Sequence, residues 1–201
     1  MELELEGFPS ILELIADARR LLTDLVQSKY SNESNESNES NESKSMFVIF
    51  DIDSTLLFSY GNTLPLKPRP AMVEFHNWVG DTFPTVTTVY LTGRAEYLGY
   101  REETLAELRT VGCIVRGESS LHMMDIAVFG GGYDRALHVS SYKSLVREGL
   151  RDKGIILLNI GDSWSDLYVV TPSDVDLASA HFVKVDVKDS LLGYKLDSRY
   201  D

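Results

Sequence analysis

The sequence predicts a doubly wound, three-layer α/β domain, preceded by one amphipathic helix and a polar linker. Three observations carry this expectation. From residue 46 onward, short and largely apolar runs alternate with helical patterns, which implies a parallel sheet covered on both faces. Three of those runs stop on a polar group, the place where such folds bind ligands. The 201 residues, 43% hydrophobic and 25% charged, suit one domain and a small appendage.

Residues 1–30 read as an N-terminal helical segment. Ser10 and Glu13 have the spacing of a capping box, and Phe8 and Leu14 that of a hydrophobic staple. Ile11, Leu14, Ile15, Ala18, Leu21, Leu22 and Leu25 then recur at spacings of three and four, giving one apolar stripe over residues 8–28. A lone helix of this kind is marginal, so the stripe must be covered. Its own domain could cover it, and so could self-association or a partner. Residues 31–45 hold four Ser-Asn-Glu repeats with nothing to bury, and read as a disordered linker. As a flexible chain, residues 29–45 would span on the order of 20 Å. The helix can therefore reach its own domain or a neighbour's, and a homodimer built through it is a candidate arrangement.

The remaining residues, 46–201, form the α/β domain. Met46–Phe50 is an apolar strand ending in acid, and Ala71–Val79 reads as a helix. Val86–Leu91, β-branched and apolar, reads as a strand ending at Thr92-Gly93-Arg94. Ala95–Val111 reads as a helix stopped by Gly112, Cys113–Val115 as a short strand, and Ser141–Lys153 as a helix stopped by Gly154. Ile155–Ile160 is another strand, ending at Gly161-Asp162, and Phe182–Val185 is the last candidate. The stretch Arg116–Ser140, with its apolar Leu121–Phe129 and triple glycine, has room for a small flap or hairpin but not for an independent domain. Thr55 and Thr92 are separated by too few residues to hold a large inserted cap.

Composition narrows the function. The net charge is −12, and no basic block offers phosphate-rich polymers a docking stripe, which disfavours nucleic acid as a partner. The single cysteine, Cys113, excludes an intrachain disulfide and suits a reducing compartment. No stretch approaches the ~20 apolar residues of a membrane span, and the acidic Met-Glu-Leu-Glu-Leu-Glu start is unlike a signal peptide. The expectation is a soluble, cytoplasmic protein without a membrane partner. His76, His122, His138 and His181 show no paired metal spacing, and Cys113 reads as a buried apolar residue.

The chemistry lies at the strand ends. The first run delivers Asp51 and Asp53, the second Thr92, and Ile155–Ile160 delivers Asp162 and Asp166. Four carboxylates converging on one crevice would raise one another's pKa values or recruit a cation. Oxygen ligands without His or Cys suit Mg²⁺. Lys143 follows Tyr142 at the start of a helix and is a candidate second cation. A lysine and a divalent ion beside carboxylates make a site for a phosphoryl group, on which an aspartate can form an aspartyl-phosphate.

Asp51-Ile52-Asp53-Ser54-Thr55, Leu91-Thr92-Gly93-Arg94, Lys143 and Gly161-Asp162-Ser163-Trp164-Ser165-Asp166 occur in the order of the four motifs of the haloacid-dehalogenase-like (HAD) superfamily. The chain resembles, more closely, the subfamily IIIB acid phosphatases of that superfamily, which include bacterial class B enzymes and plant vegetative-storage-type proteins. Tyr142-Lys143-Ser144 and the stretch from Gly161 to Asp166 carry the closer likeness. The resemblance covers residues 46–195. It implies a HAD-like, Rossmann-like domain without a large cap, and a Mg²⁺-dependent phosphomonoester hydrolase. Asp51 resembles the nucleophile and a metal ligand. Asp53 resembles the general acid/base, with its backbone carbonyl on the metal. Thr92 and the Gly93 N–H resemble the phosphate clamp, and Lys143 the lysine that binds phosphate. Asp162 resembles a direct metal ligand, and Asp166 the second acid of that motif, holding metal water or the lysine. Ser54 stands where many members have glycine.

Each motif alone has a bland reading: a turn, a helix cap or a surface lysine. The order of all four is what argues against it. The implied partner is a phosphorylated substrate, either a small molecule or an exposed phosphate on a macromolecule. Phe58 and Tyr60 are candidates for stacking on an aromatic group. Arg94 is open to a substrate contact or a structural ion pair. Rival readings are an inert storage or interaction protein on the same fold, a phosphotransferase, and a nucleic-acid end phosphatase.

Overall fold

A computed structural model of the chain describes residues 11–33, 45–58, 67–97, 99–117, 120–129, 135–166, 183–185 and 193–195. Its elements are α1 (Ile11–Glu33), β1 (Ser45–Phe50), β2 (Leu57–Phe58), β3 (Lys67–Pro68), α2 (Pro70–Thr82), β4 (Val86–Ala95), α3 (Tyr100–Thr110), β5 (Leu121–Met124), α4 (Ile126–Phe129), α5 (Arg135–Lys153), β6 (Gly154–Gly161), β7 (Val183–Val185) and β8 (Gly193–Lys195).

The apolar run after the linker lies inside the sheet, whose order is β5-β4-β1-β6-β8-β7. β1 is parallel to both of its neighbours, β4 and β6. β5 is parallel to β4 and β8 to β6, while β7 returns antiparallel to β8. Side chains alternate across a strand. Met46, Val48 and Phe50 therefore enter one core with α1, α2 and α3, whereas Phe47 and Ile49 enter another with Tyr142 and Leu150 of α5. The result is the expected three layers, with helices on both faces. A separate two-stranded ribbon, β2 with β3, follows the first strand end.

α1 buries Leu14, Ile15, Ala18, Leu22 and Val26 in the larger core. Arg19 pairs with Glu74 of α2 at 2.9 Å and lies 5.1 Å from the Trp78 ring centroid. The stripe is thus covered by the chain's own domain, the first of the arrangements considered from sequence. α1 also continues to Glu33, three residues into the repeats assigned to the linker. Ser10 and Phe8 lie outside the described residues, as do Tyr60, the triple glycine and His181.

Several boundaries differ from expectation, among them that of α5, which begins at Arg135 and not at Ser141, so that Lys143 lies past its second turn. β4 runs on through Thr92-Gly93-Arg94 to Ala95, and the Glu96 N–H bonds Met124 O at 2.8 Å, so α3 starts only at Tyr100, after Gly99 at φ +87°. Residues 113–117 are not a strand. Asn77 of α2 accepts from Ile114 N–H (2.9 Å) and donates to Gly112 O (2.8 Å), holding that segment to the helix instead of the sheet. The edge position is taken by β5, drawn from the stretch expected to form a flap, in register Tyr90↔Leu121 and Leu91↔His122.

His76 is fully buried between Asn77 and Tyr90, with its Nδ1 2.9 Å from Asn77 Oδ1 and its Nε2 2.8 Å from the Tyr90 hydroxyl. The ring is thus satisfied when neutral, donating from Nδ1 and accepting at Nε2. Among the described residues, no helix is long and apolar enough to cross a membrane.

Candidate active site

The polar groups gather at the carboxyl edge of the sheet. The Asp51 N–H still bonds Ile160 O at 2.9 Å, which keeps Asp51 in line with the end of β6. The chain then turns sharply, with the N–H groups of Thr55, Leu56 and Leu57 all directed at the Ile52 carbonyl. Ser54 sits in this turn at φ +60°, a left-handed conformation that glycine adopts more readily. That is the physical reason a glycine suits this position, and Ser54 accepts it under strain.

Lys143 and the β6 loop complete the cluster. Lys143 Nζ lies 2.6 Å from Asp51 Oδ1 and also donates to Asp166 Oδ1, with all three side chains buried. Asp166 ends a 3-10 turn, Trp164–Asp166, and its Oδ2 accepts from Ser163 N–H at 2.9 Å. A Cβ on Gly161 would lie 2.2 Å from the Asp166 side chain. Only a residue without one lets Asp166 fold back over the strand end. Arg147, one helical turn beyond Lys143, donates to the carbonyls of Ser165 and Asp166 at 3.1 Å each, and the Asn159 amide also bonds the Asp166 carbonyl.

Asp51, Asp162 and Asp166 each offer a carboxylate oxygen within 4.8 Å of the others. Three carboxylates against one ammonium leave a surplus of negative charge in a buried place. Burial, and then Asp166, push the Asp51 carboxyl well above the usual carboxylate range, with Lys143 opposing them. Burial and Asp166 likewise push Asp162 up to about 7. Burial works against the charge on Lys143, but Asp166 and Asp51 outweigh it and raise its pKa. An all-oxygen, over-negative donor set is what a hard divalent cation takes, so these residues fit such an ion.

Thr92 is buried at the end of β4, and its Oγ1 accepts the Arg94 N–H at 3.1 Å, leaving its own hydroxyl proton free to donate. Gly93 packs under α5, where a Cβ would lie 2.9 Å from a Val139 methyl. Asp53 departs from expectation. Its carboxylate is not in the acidic group with Asp51, although a spacing of two predicts a shared side. The turn after Ile52 breaks the extended geometry, and Asp53 instead receives Arg94 Nε and Nη2, both at 2.8 Å. Arg94 thus makes structural ion pairs, with Asp53 and with Glu107. Burial disfavours its charge, but the bonds to Asp53 and Glu107 raise its pKa overall. The Phe58 ring carries the Arg69 guanidinium, 5.0 Å from its centroid.

The sequence pattern of the HAD superfamily, subfamily IIIB (Acid phosphatase), matches residues 67–183, more than half of the chain. The chain belongs to this family of acid phosphatases. It is therefore a phosphoric monoester hydrolase by family. Thr92, Gly93, Lys143, Asp162 and Asp166 fall inside the matched stretch, and Asp51 and Asp53 precede it. Among solved structures, a class C acid phosphatase from Bacillus anthracis with tungstate bound is similar in fold. Its TM-score is 0.53 at 15% identity, covering 89% of this chain and 75% of that one. No curated protein matches the chain.

Several residues around this candidate site are not singled out by the sequence. Arg147 lies four residues after Lys143, so the two share a helix face, and that spacing could have flagged it. Asn159 was hidden inside an apolar run. Glu107 and Thr104, which hold Arg94 from α3, carry no sequence signal at all.

Proposed function

We propose that the protein hydrolyses phosphomonoesters through an aspartyl-phosphate on Asp51, with Mg²⁺ as cofactor. The observation that carries this reading is the buried bridge from Lys143 to Asp51 and Asp166 beside Asp162. An Asp51 oxygen attacks phosphorus, forming the new O–P bond as the bond to the leaving oxygen breaks. Asp53 gives its proton to that oxygen. It then takes a proton from the water that attacks the phosphoenzyme, releasing phosphate and restoring Asp51. Thr92 and the Gly93 N–H hold two phosphate oxygens, and Lys143 a third, while Lys143 also favours the ionised form of Asp51 and aims it. Mg²⁺, held by the carboxylates of Asp51, Asp162 and Asp166 and the Asp53 carbonyl, would neutralise charge on the transferring group.

The substrate is a phosphomonoester presented as a small molecule or as an exposed phosphate on a larger one. Asp51→Asn should abolish turnover of an aryl phosphate without lowering the melting temperature, and a chelator should stop the wild-type reaction until Mg²⁺ is returned. Unchanged turnover by Asp51→Asn refutes the assignment. A fully folded wild type with no activity on any phosphomonoester would favour the inert storage or interaction reading.

A further inference from the structure

The residue after the clamp glycine does more than stabilise the fold. Arg94 uses all three guanidinium nitrogens. Nε and Nη2 form a two-point pair with Asp53, both at 2.8 Å, while Nη1 bonds Thr104 Oγ1 at 3.3 Å and pairs with Glu107 Oε2. Its backbone N–H goes to Thr92 Oγ1. A single residue thus connects the proposed acid/base, the proposed phosphate clamp and α3. Asp53 needs such a hold. Its side chain is 38% exposed, and a carboxylate that open would sample several rotamers. A fork-shaped guanidinium fixes both oxygens at once, which a lysine cannot do. The Arg94 side chain would in turn keep its own rotamer freedom without a second anchor, and Glu107 and Thr104 supply one.

We propose that Arg94, held from α3 by Glu107 and Thr104, positions Asp53 for proton transfer and thereby sets how well the enzyme expels poor leaving groups. The inference rests on the reading of Asp53 as the acid. Arg94 and Glu107 are positioning residues, since they act through Asp53. The consequence is selective. An alkoxide leaves phosphorus only as it takes the Asp53 proton, whereas a nitrophenolate leaves without one. Misaiming Asp53 must therefore damage the reaction of alkyl phosphates far more than that of aryl phosphates.

The test compares kcat/KM for glycerol phosphate and 4-nitrophenyl phosphate in Glu107→Gln, Arg94→Lys and Asp53→Asn, with the inhibition constant for inorganic phosphate measured in each. Kcat/KM is used because it covers the step in which the leaving group departs. With the alkyl phosphate, Arg94→Lys should lose about 100-fold and Glu107→Gln about tenfold, as expected for a misplaced catalytic group. With the aryl phosphate both should lose no more than about threefold. Phosphate inhibition should be unchanged in both. A variant that merely folds poorly lowers both substrates equally, so an equal loss overturns the proposal. So does an Arg94→Lys variant whose phosphate inhibition constant rises, because Arg94 would then be a phosphate ligand. If Asp53→Asn shows the selective loss and Glu107→Gln does not, only the α3 relay falls. If Asp53→Asn shows no selectivity, the acid assignment falls and takes the relay with it.

Discussion

Replacing Lys143 with methionine keeps the aliphatic stem and removes the charge from the centre of the acidic cluster. The ammonium touches two buried carboxylates, one at 2.6 Å. At an effective dielectric near 20, a contact of that length is worth about 6 kcal/mol before desolvation. Burying the ammonium offsets several kcal/mol of this, and removing one partner of a buried ionic group typically costs about 3–5 kcal/mol net. The loss is large because three carboxyl groups remain buried together with no compensating cation. Urea unfolding of metal-free protein at neutral pH measures it. With a slope near 2 kcal/mol/M, the midpoint should fall by roughly 1.5–2.5 M. Added Mg²⁺ should recover part of the loss, since a cation among the carboxylates takes over the missing charge. A loss below about 1 kcal/mol, the range of an exposed ion pair, would show that these groups are not buried and coupled, and would refute the reasoning.

Other expectations can be checked separately. Burial lowers the His76 pKa from its ordinary value. The unfolded chain therefore takes up a proton first as pH falls below about 6.5, and stability drops there by up to about 1.4 kcal/mol per pH unit. Urea midpoints between pH 7 and 5 should show a shallower fall in His76→Gln than in wild type, and identical slopes would remove His76 as the cause. Leu22 is 1% exposed in the core, so Leu22→Ala should cost about 2–5 kcal/mol, whereas a loss of a few tenths would mean that α1 is not docked. Ser54→Gly relieves a left-handed serine whose backbone strain is about 1–2 kcal/mol, partly offset by glycine's greater freedom when unfolded. Its melting temperature should be equal or higher, and a clear decrease would show that the serine side chain holds the turn.

Much of this protein was legible from local pattern. The largely apolar runs at 46–50, 86–91 and 155–160 became β1, β4 and β6, because a strand covered by helices on both faces needs apolar residues on each. The acids and the threonine at their ends became the candidate site, because a parallel sheet carries all its strand ends of one kind to one edge. The helices α2 and α5 and the apolar stripe of α1 could also be read, since periodicity is a property of neighbouring residues.

Tertiary structure decided what depends on distant partners. The Cys113–Val115 segment has strand composition, yet Asn77 binds it to α2, and the sheet edge went to Leu121–Met124 instead. The stripe of α1 could not say what would cover it until Arg19 and the buried leucines met α2 and the core. Asp51 and Asp53 are equivalent in spacing, but the turn at Ser54 sends one to Lys143 and the other to Arg94. Sequence separation carries no information about such contacts. Asp53 and Arg94 lie 41 residues apart and Asp51 and Lys143 92, and only the folded sheet sets which charge faces which.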